Sequence, residues 1–478
     1  MAYIGYLIGY CVVMLIFGLI FSRYIKNIND FYVGGQRISW WIIGATISAS
    51  MFGATSLMVS CGYARLVGLS SIWLLGIPTV ACALGYTFIF SRKIRRLTEV
   101  ISIPDFVEKR YDEKTRALFM VIILLALIAF CTSQILALGK VLNWFTDTPL
   151  LVGMVIALVV VGIYSTVGGY FGVVATDVVQ TILLFIGLII FTVGSVHWAG
   201  DWSKVGEVSE KVPQFTSLFS AAFSPLAGIG WVVALGFPLF TAQDIWQRFI
   251  SAKDENNAFY GGLFSAAIFV PLYILPIVGG MAGAVWIATK TGVPADPERF
   301  MAWTAREMFG GFTGGLIFLG IAAAIMSTLD TALVSGASNV TRDILQRYVK
   351  KDAPKEKILT WSRYATIVMA VVAFLIASLF ASILSALFLT GNIMVCGLLV
   401  PTFCAFYWRR ATSTGAFLSG LIGIIFVILD FVLRKAGAPP PWPGEPVSVL
   451  IGLGISIVVM VIASLASKHA PSENMDLG

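Results

Sequence analysis

The chain has 478 residues, 58% of them hydrophobic and 12% charged, with a mean hydropathy of +0.90. Soluble domains carry about 25% charged residues, so this composition points to a membrane protein and excludes a soluble enzyme. The formal charge of +7 and pI near 9.0 are carried by loops between apolar runs and do not argue for a nucleic-acid partner.

An apolar run of roughly 20 residues crosses about 30 Å of hydrocarbon. Thirteen such runs are predicted, at about 2–22, 38–65, 71–90, 117–142, 148–166, 177–199, 222–246, 257–288, 310–340, 359–381, 384–408, 414–433 and 447–467. The first lacks a charged leader and a small-residue cleavage site, so it is expected to be a retained helix rather than a signal peptide. The basic residues alternate between the two sides. Of the 32 Lys and Arg residues, 9 fall on one side, leaving the majority in the loops around Arg23 and Lys26, Arg92 to Arg116, Arg248 and Lys253, Arg342 to Arg363, Arg409 and Arg410, and Lys468. Positive charge favours the cytoplasm, which predicts a cell-membrane protein with its N-terminus outside and C-terminus inside.

Two runs are interrupted. Residues 45–62, ATISASMFGATSLMVSCG, crowd small and hydroxyl residues into mid-membrane, and 228–243, GIGWVVALGFPLFTAQ, carry Gly236 and Pro238. Proline removes a backbone donor and clashes with the preceding turn. In lipid such breaks are tolerated only beside protein or a water-filled cavity. Paired broken helices in two halves mark an inverted-repeat transporter with a site near the midplane.

The ninth run contains AAAIMSTLDTALVSG at 322–336. At 100° per residue, Ala324, Ser327, Asp330 and Thr331 lie within about 120° of one another with Thr328 at the edge, while Ile325, Leu329 and Leu333 lie opposite. An oxygen-rich helical face suits a hard cation. The same small residues also suit close helix packing, and Ser and Thr can bond back to their own helix. Asp330 favours function, because a carboxylate inside a membrane is a functional group by default. A second carboxylate, Asp177, stands in VVATDVVQ. The six cysteines and two histidines show no metal-ligand spacing. That argues against a metalloenzyme or a histidine triad.

The sequence resembles the sodium:solute symporter family. DFYVGGQRISWW (30–41), YSTVGGYFGVVATDVVQ (164–180), IWQRFISAKD (245–254) and AAAIMSTLDT (322–331) are similar to its motifs, in order, over nearly the whole length. The resemblance implies an all-α, LeuT-like 5+5 inverted repeat with broken first and sixth core helices. The repeats would span 37–200 and 218–412, with two extra helices at 413–468 and a cytoplasmic tail at 469–478. It implies one sodium site made of Ala49, Phe52, Ala324, Ser327 and Thr328. A second cation site would use Asp177, Ser327, Asp330 and Thr331, taking sodium or a substrate amine, or else forming a structural pair with an unseen cation.

The solute is expected between the broken helices, near Thr55, Ser56, Gln134, Phe237, Gln243 and Asn392. Phe237, Phe240 and Trp231 are candidates for an ammonium contact, with packing as the ordinary reading. Met51 and the lack of a lysine in 261–280 disfavour a sugar, whose hydroxyls would go unpaired. A small, partly apolar solute is expected: an amino acid such as proline, an amine or a monocarboxylate. The main alternative is a proton-coupled symporter using Asp177 and Asp330. The sequence shows neither the symmetric pore element or charge ring of an ion channel nor the nucleophile or metal constellation of a membrane enzyme.

Overall fold

The structure, a computed structural model, describes residues 2–22, 33–97, 100–200, 204–212, 214–220, 223–287, 292–350, 353–438 and 440–468. Arg23, Lys26, the first three residues of the 30–41 motif and the tail 469–478 lie outside it. Among the described residues the regular structure is helical, with one isolated bridge, Ile38 with Ala252, and no strands. All-helical spanning structure follows from the bilayer, where each backbone polar group must be paired within the segment.

In chain order the elements that build the site are α1 (Ala2–Ser22), α2 (Trp40–Met51), α3 (Ser60–Val67) and α4 (Gly76–Tyr86). They are followed by α5 (Ile103–Arg110), α6 (Glu113–Thr146), α7 (Leu150–Ala199), α8 (Pro225–Trp231), α9 (Gln243–Ser251) and α10 (Glu255–Ile287). The remainder are α11 (Gly311–Ser338), α12 (Lys355–Ala377), α13 (Ile383–Met394), α14 (Val400–Tyr407), α15 (Ser413–Lys435) and α16 (Val447–Ala466).

Polar side chains cap several of these helices. Ser102, Asp112, Ser224, Ser382 and Thr412 each accept from a backbone N–H at the start of α5, α6, α8, α13 and α15, satisfying donors that a helix cannot pair internally.

Among the described residues ten helices are long and apolar enough to cross a membrane, or eleven if a bent pair is one span. The expected thirteen is not reached, for reasons of length. Trp40–Met51 and Leu150–Ile163 are short apolar helices, and Thr55–Arg96 runs on as one stretch of 42 residues. In α7, Gly169 adopts φ 52° and ψ −162°, a conformation open to glycine, and this kink divides the two runs expected there.

Both expected breaks are present. In the first, α2 ends at Met51, Phe52 leaves helical geometry (φ −98°, ψ 69°), and a wide π-type turn at Thr55–Val59 leads into α3. In the second, α8 passes through a matching π-type turn, Val232–Gly236, into a tight 3-10 stretch, Phe237–Thr241. The chain leaves the helix at Ala242 (φ −72°, ψ 113°), with a 45° bend into α9. The break therefore falls beyond Gly236 and Pro238. Pro238 stands in the first turn of the 3-10 stretch, where its missing donor would have had no partner. The approach to α2 and the end of α9 are tied: Ile38 N–H donates to Ser251 O (3.1 Å) and Lys253 N–H to Ile38 O (3.0 Å).

Helix α11 is the central post, with 94% of its apolar window buried, against 28% for α1 and for α16. It packs on α7 through glycines. A methyl at Gly320 would lie 3.1 Å from both Gly187 Cα and Leu183 O, backbone atoms that cannot rotate away. Replacing Gly320 with Leu should force the helices apart, at about 1–3 kcal/mol for an overpacked core. Thermal unfolding of the purified protein should show a midpoint several degrees lower. An unchanged midpoint would contradict this crossing.

Candidate functional site

The break after α2 exposes a carbonyl to α11. Ser327 Oγ donates to Ala49 O at 2.9 Å and approaches Ala324 O at 3.1 Å. Thr328 Oγ1 lies 2.9 Å from Ala324 O and 3.5 Å from Ala49 O. Two carbonyl and two hydroxyl oxygens thus converge where the discontinuous helix meets the central post, and all four residues are buried. Phe52, the residue that leaves the helix, is fully buried with its ring edge-on to Tyr273, centroids 5.0 Å apart.

Gly53 completes the approach. A methyl there would lie 2.7 Å from Gln134 Oε1 and 2.9 Å from Thr328 Oγ1. The donor set is neutral and all oxygen, which suits a hard cation of low charge. Among the described residues no group of three or more His, Cys, Asp or Glu is placed to hold a metal.

The second carboxylate cluster contains a cation that belongs to the protein. Arg248, on α9, is buried with 1% of its side chain exposed. Its Nη2 donates to Asp177 Oδ2 (3.1 Å) and to Thr331 Oγ1 (3.0 Å), and its Nε donates to Thr46 Oγ1 (3.0 Å). Its Nη1 donates to Asp244 O (3.1 Å) and lies 3.8 Å from Asp244 Oδ2. Thr46 also donates to Asp177. The charge between Asp177 and Thr331 is therefore a guanidinium. Asp330 is fully buried on the same helix as Thr331. Arg248, grouped by sequence with the inner-loop charges, is a core residue.

A cavity opens between the broken helices. Of the residues expected to line it, Thr55, Ser56, Gln134 and Gln243 do so, together with Met51, Asp244 and Tyr273. Phe237 and Asn392 are not among the lining residues. Phe237 packs edge-on to Phe240 at 5.8 Å, and Asn392 Nδ2 donates to Glu445 ahead of α16. The other two aromatic candidates also pack: Trp231 stacks on Phe388 at 5.4 Å, and Phe240 meets Phe90 and Phe403.

A hydroxyl chain ties α4 to the first break, with Thr79 Oγ1 and Tyr273 OH 3.0 Å apart and Tyr273 OH donating to Ser56 Oγ at 3.0 Å. Gln243 links the cavity to the short helix α5, its Oε1 accepting from Ile103 N–H at 3.0 Å.

Residues 31–423 match the profile of the sodium:solute symporter family. The chain belongs to that family. A sodium/glucose cotransporter of Vibrio parahaemolyticus is 27% identical over 480 residues, covering 93% of this chain and 86% of that one. The osmoregulated proline transporter of Bacillus subtilis is 24% identical over 475 residues, covering 94% and 93%. A sodium/proline symporter of Escherichia coli is 25% identical over 504 residues, covering 98% and 94%. Among solved structures, a substrate-bound, outward-open Na+-coupled sialic acid symporter superposes with a TM-score of 0.83 at 21% identity, covering 98% of both chains. The shared architecture is the LeuT-like fold.

Sequence reasoning missed Arg248, Asp244, Gly53 and Tyr273. Arg248 carried a signal, since a lone arginine five residues past a broken span had no assigned partner. Removing it would leave Asp177 buried beside no cation, at about 3–5 kcal/mol. Arg248→Met should therefore lower the unfolding midpoint strongly, and Asp177→Asn in the same background should recover most of the loss. Independent, additive losses would contradict the pairing.

Proposed function

We infer that this protein is a sodium-driven symporter of a small organic solute, working by alternating access in the cell membrane. The observation that carries the reading is the convergence of Ala49 O, Ala324 O, Ser327 Oγ and Thr328 Oγ1 at a helix break. With the carbonyl of Phe52, those oxygens would hold one sodium ion. The family's sodium coupling and its proline and glucose relatives support the same reading.

Sodium at this position joins α2 to α11. A ligand shifts a conformational equilibrium only by its differential affinity for the two states. An ion that needs donors from both helices therefore favours the state in which they meet. The same state places Gly53, Thr55 and Ser56 on the cavity wall, so the ion orders the solute site. Solute binding then closes the outer path, the inner path opens, and sodium leaves into a cytoplasm poor in it. One positive charge moving inward gains about 2.3 kcal/mol per 100 mV.

For Asp177 and Thr331 we assign the structural alternative, with Arg248 as their cation, and a single sodium beside Ser327. The two repeats at 37–200 and 218–412 each begin with a broken helix. The excess of basic residues on one side supports a cytoplasmic C-terminus. On the cavity wall Ser56, Thr79 and Tyr273 bond one another, and Thr241 and Thr390 bond backbone carbonyls, so that most hydroxyls are already engaged, which supports an amino acid or amine over a sugar.

Ser327→Ala or Thr328→Ala should abolish sodium-dependent uptake into proteoliposomes while leaving the protein inserted. Solute flux that ignores an imposed sodium gradient in the wild type, or survives in both variants, would overturn the reading. A proton-coupled cycle would instead keep its uptake when potassium replaces sodium at constant pH.

A further inference from the structure

The start of α9 presents a carboxylate to the solute cavity that nothing above has used. Asp244 stands two residues past the break at Ala242 and lines the cavity. The residue is 4% exposed, and its Oδ2 has no hydrogen-bond partner among the described residues. Ser50 and the backbone N–H groups of Asp244 and Ile245 reach the same carboxylate, which leaves Oδ2 as its open acceptor.

The cation beside it among the described residues, Arg248, is already engaged. Arg248 Nη1 stands 3.8 Å from Oδ2, beyond hydrogen-bond reach, and that nitrogen donates to the Asp244 backbone carbonyl instead. The closer carboxylate is Asp177, at 3.1 Å with a hydrogen bond to Nη2. Two carboxylates thus share one guanidinium, and Asp244 has the weaker claim. A buried, unpaired carboxylate oxygen is unfavourable unless a cation or donor reaches it. Leu75, Leu127, Phe130, Leu235 and Leu239 line the same cavity and supply none.

The next residue back gives the complementary group. Gln243 Oε1 accepts from Ile103 N–H, while its Nε2 has no hydrogen-bond partner among the described residues and the residue faces the same cavity. The wall therefore pairs an open acceptor with an open donor.

We propose that Asp244 is the anionic anchor of the solute site and that the solute carries a protonated or quaternary amine. The inference rests on the symporter reading and narrows it. An anionic solute without an amine would bring a second negative charge against the open Oδ2, which excludes monocarboxylates. The Gln243 amide is free to donate to a solute carboxylate, which admits zwitterionic amino acids.

The test compares isosteres that differ in the amine. Thermal unfolding of the purified protein in sodium chloride is followed with choline against 3,3-dimethylbutan-1-ol, and with L-proline against cyclopentanecarboxylate. At least one amine compound should raise the midpoint while its partner does not. Asp244→Asn should weaken that amine's apparent affinity roughly thirtyfold or more and keep the shift produced by sodium alone. Asp244→Glu, which retains the charge, should keep the preference for the amine.

Equal stabilisation by the amine-free partners, or no shift from any amine, overturns the proposal even if Asp244→Asn fails to fold. So does an Asp244→Asn protein that keeps full amine affinity, or one that loses the sodium-only shift, which would give the carboxylate to the metal. A wild type that shows no sodium-only shift would instead count against the symporter reading itself.

Discussion

The carbonyl oxygen of Ala49 is the point on which the architecture turns. In an unbroken helix it would accept from its own ladder. Because the chain leaves helical geometry at Phe52, this oxygen meets Ser327 and Thr328 on α11 instead. The contact requires close approach, and Gly53 permits it by having no side chain to hold Thr328 and Gln134 away. It also requires a fixed partner. Helix α11 is that partner, buried along nearly its whole apolar length and held to α7 by glycine contacts. A broken helix is thereby opposed by a continuous one, with polar oxygens at the seam where lipid offers no alternative partner.

Charge inside the core follows the same logic. A buried guanidinium is tolerable only when its hydrogen bonds are met, and Arg248 meets them with Asp177, Thr331, Thr46 and the Asp244 backbone. The arrangement joins α9 to α2, α7 and α11, so both broken helices and their supports share one charged knot. It leaves the neutral oxygens near Ser327 as the donor set suited to an alkali cation, and leaves Asp244 facing the cavity.

Much of this was legible in the sequence, for particular reasons. The breaks announce themselves because a span of small residues around Gly53, and a proline at 238, conflict with a regular helix. The Ser327 face follows from helical period alone, since all its groups lie on one element. What failed were pairings between elements. Arg248 lies near a span end and reads as a loop charge until α7 and α11 are brought round it. Asp244 hides among polar residues after a break whose exact position, Ala242, no single residue marks. Asn392 has a suitable side chain at a suitable depth, yet Glu445 from a distant loop engages it. The count of spans failed because apolar runs record hydrophobicity, whereas α2 and the first part of α7 are cut short by backbone breaks.

The most direct measurement is a high-resolution density map of the protein in lipid, recorded in sodium chloride and again in potassium chloride. This account predicts a sodium-dependent peak bounded by the Ala49 and Ala324 carbonyls and the Ser327 and Thr328 hydroxyls, with Arg248 still between Asp177 and Thr331 in both maps. A sodium peak beside Asp177 with Arg248 displaced, or no sodium-dependent density at the break of the first core helix, would contradict it.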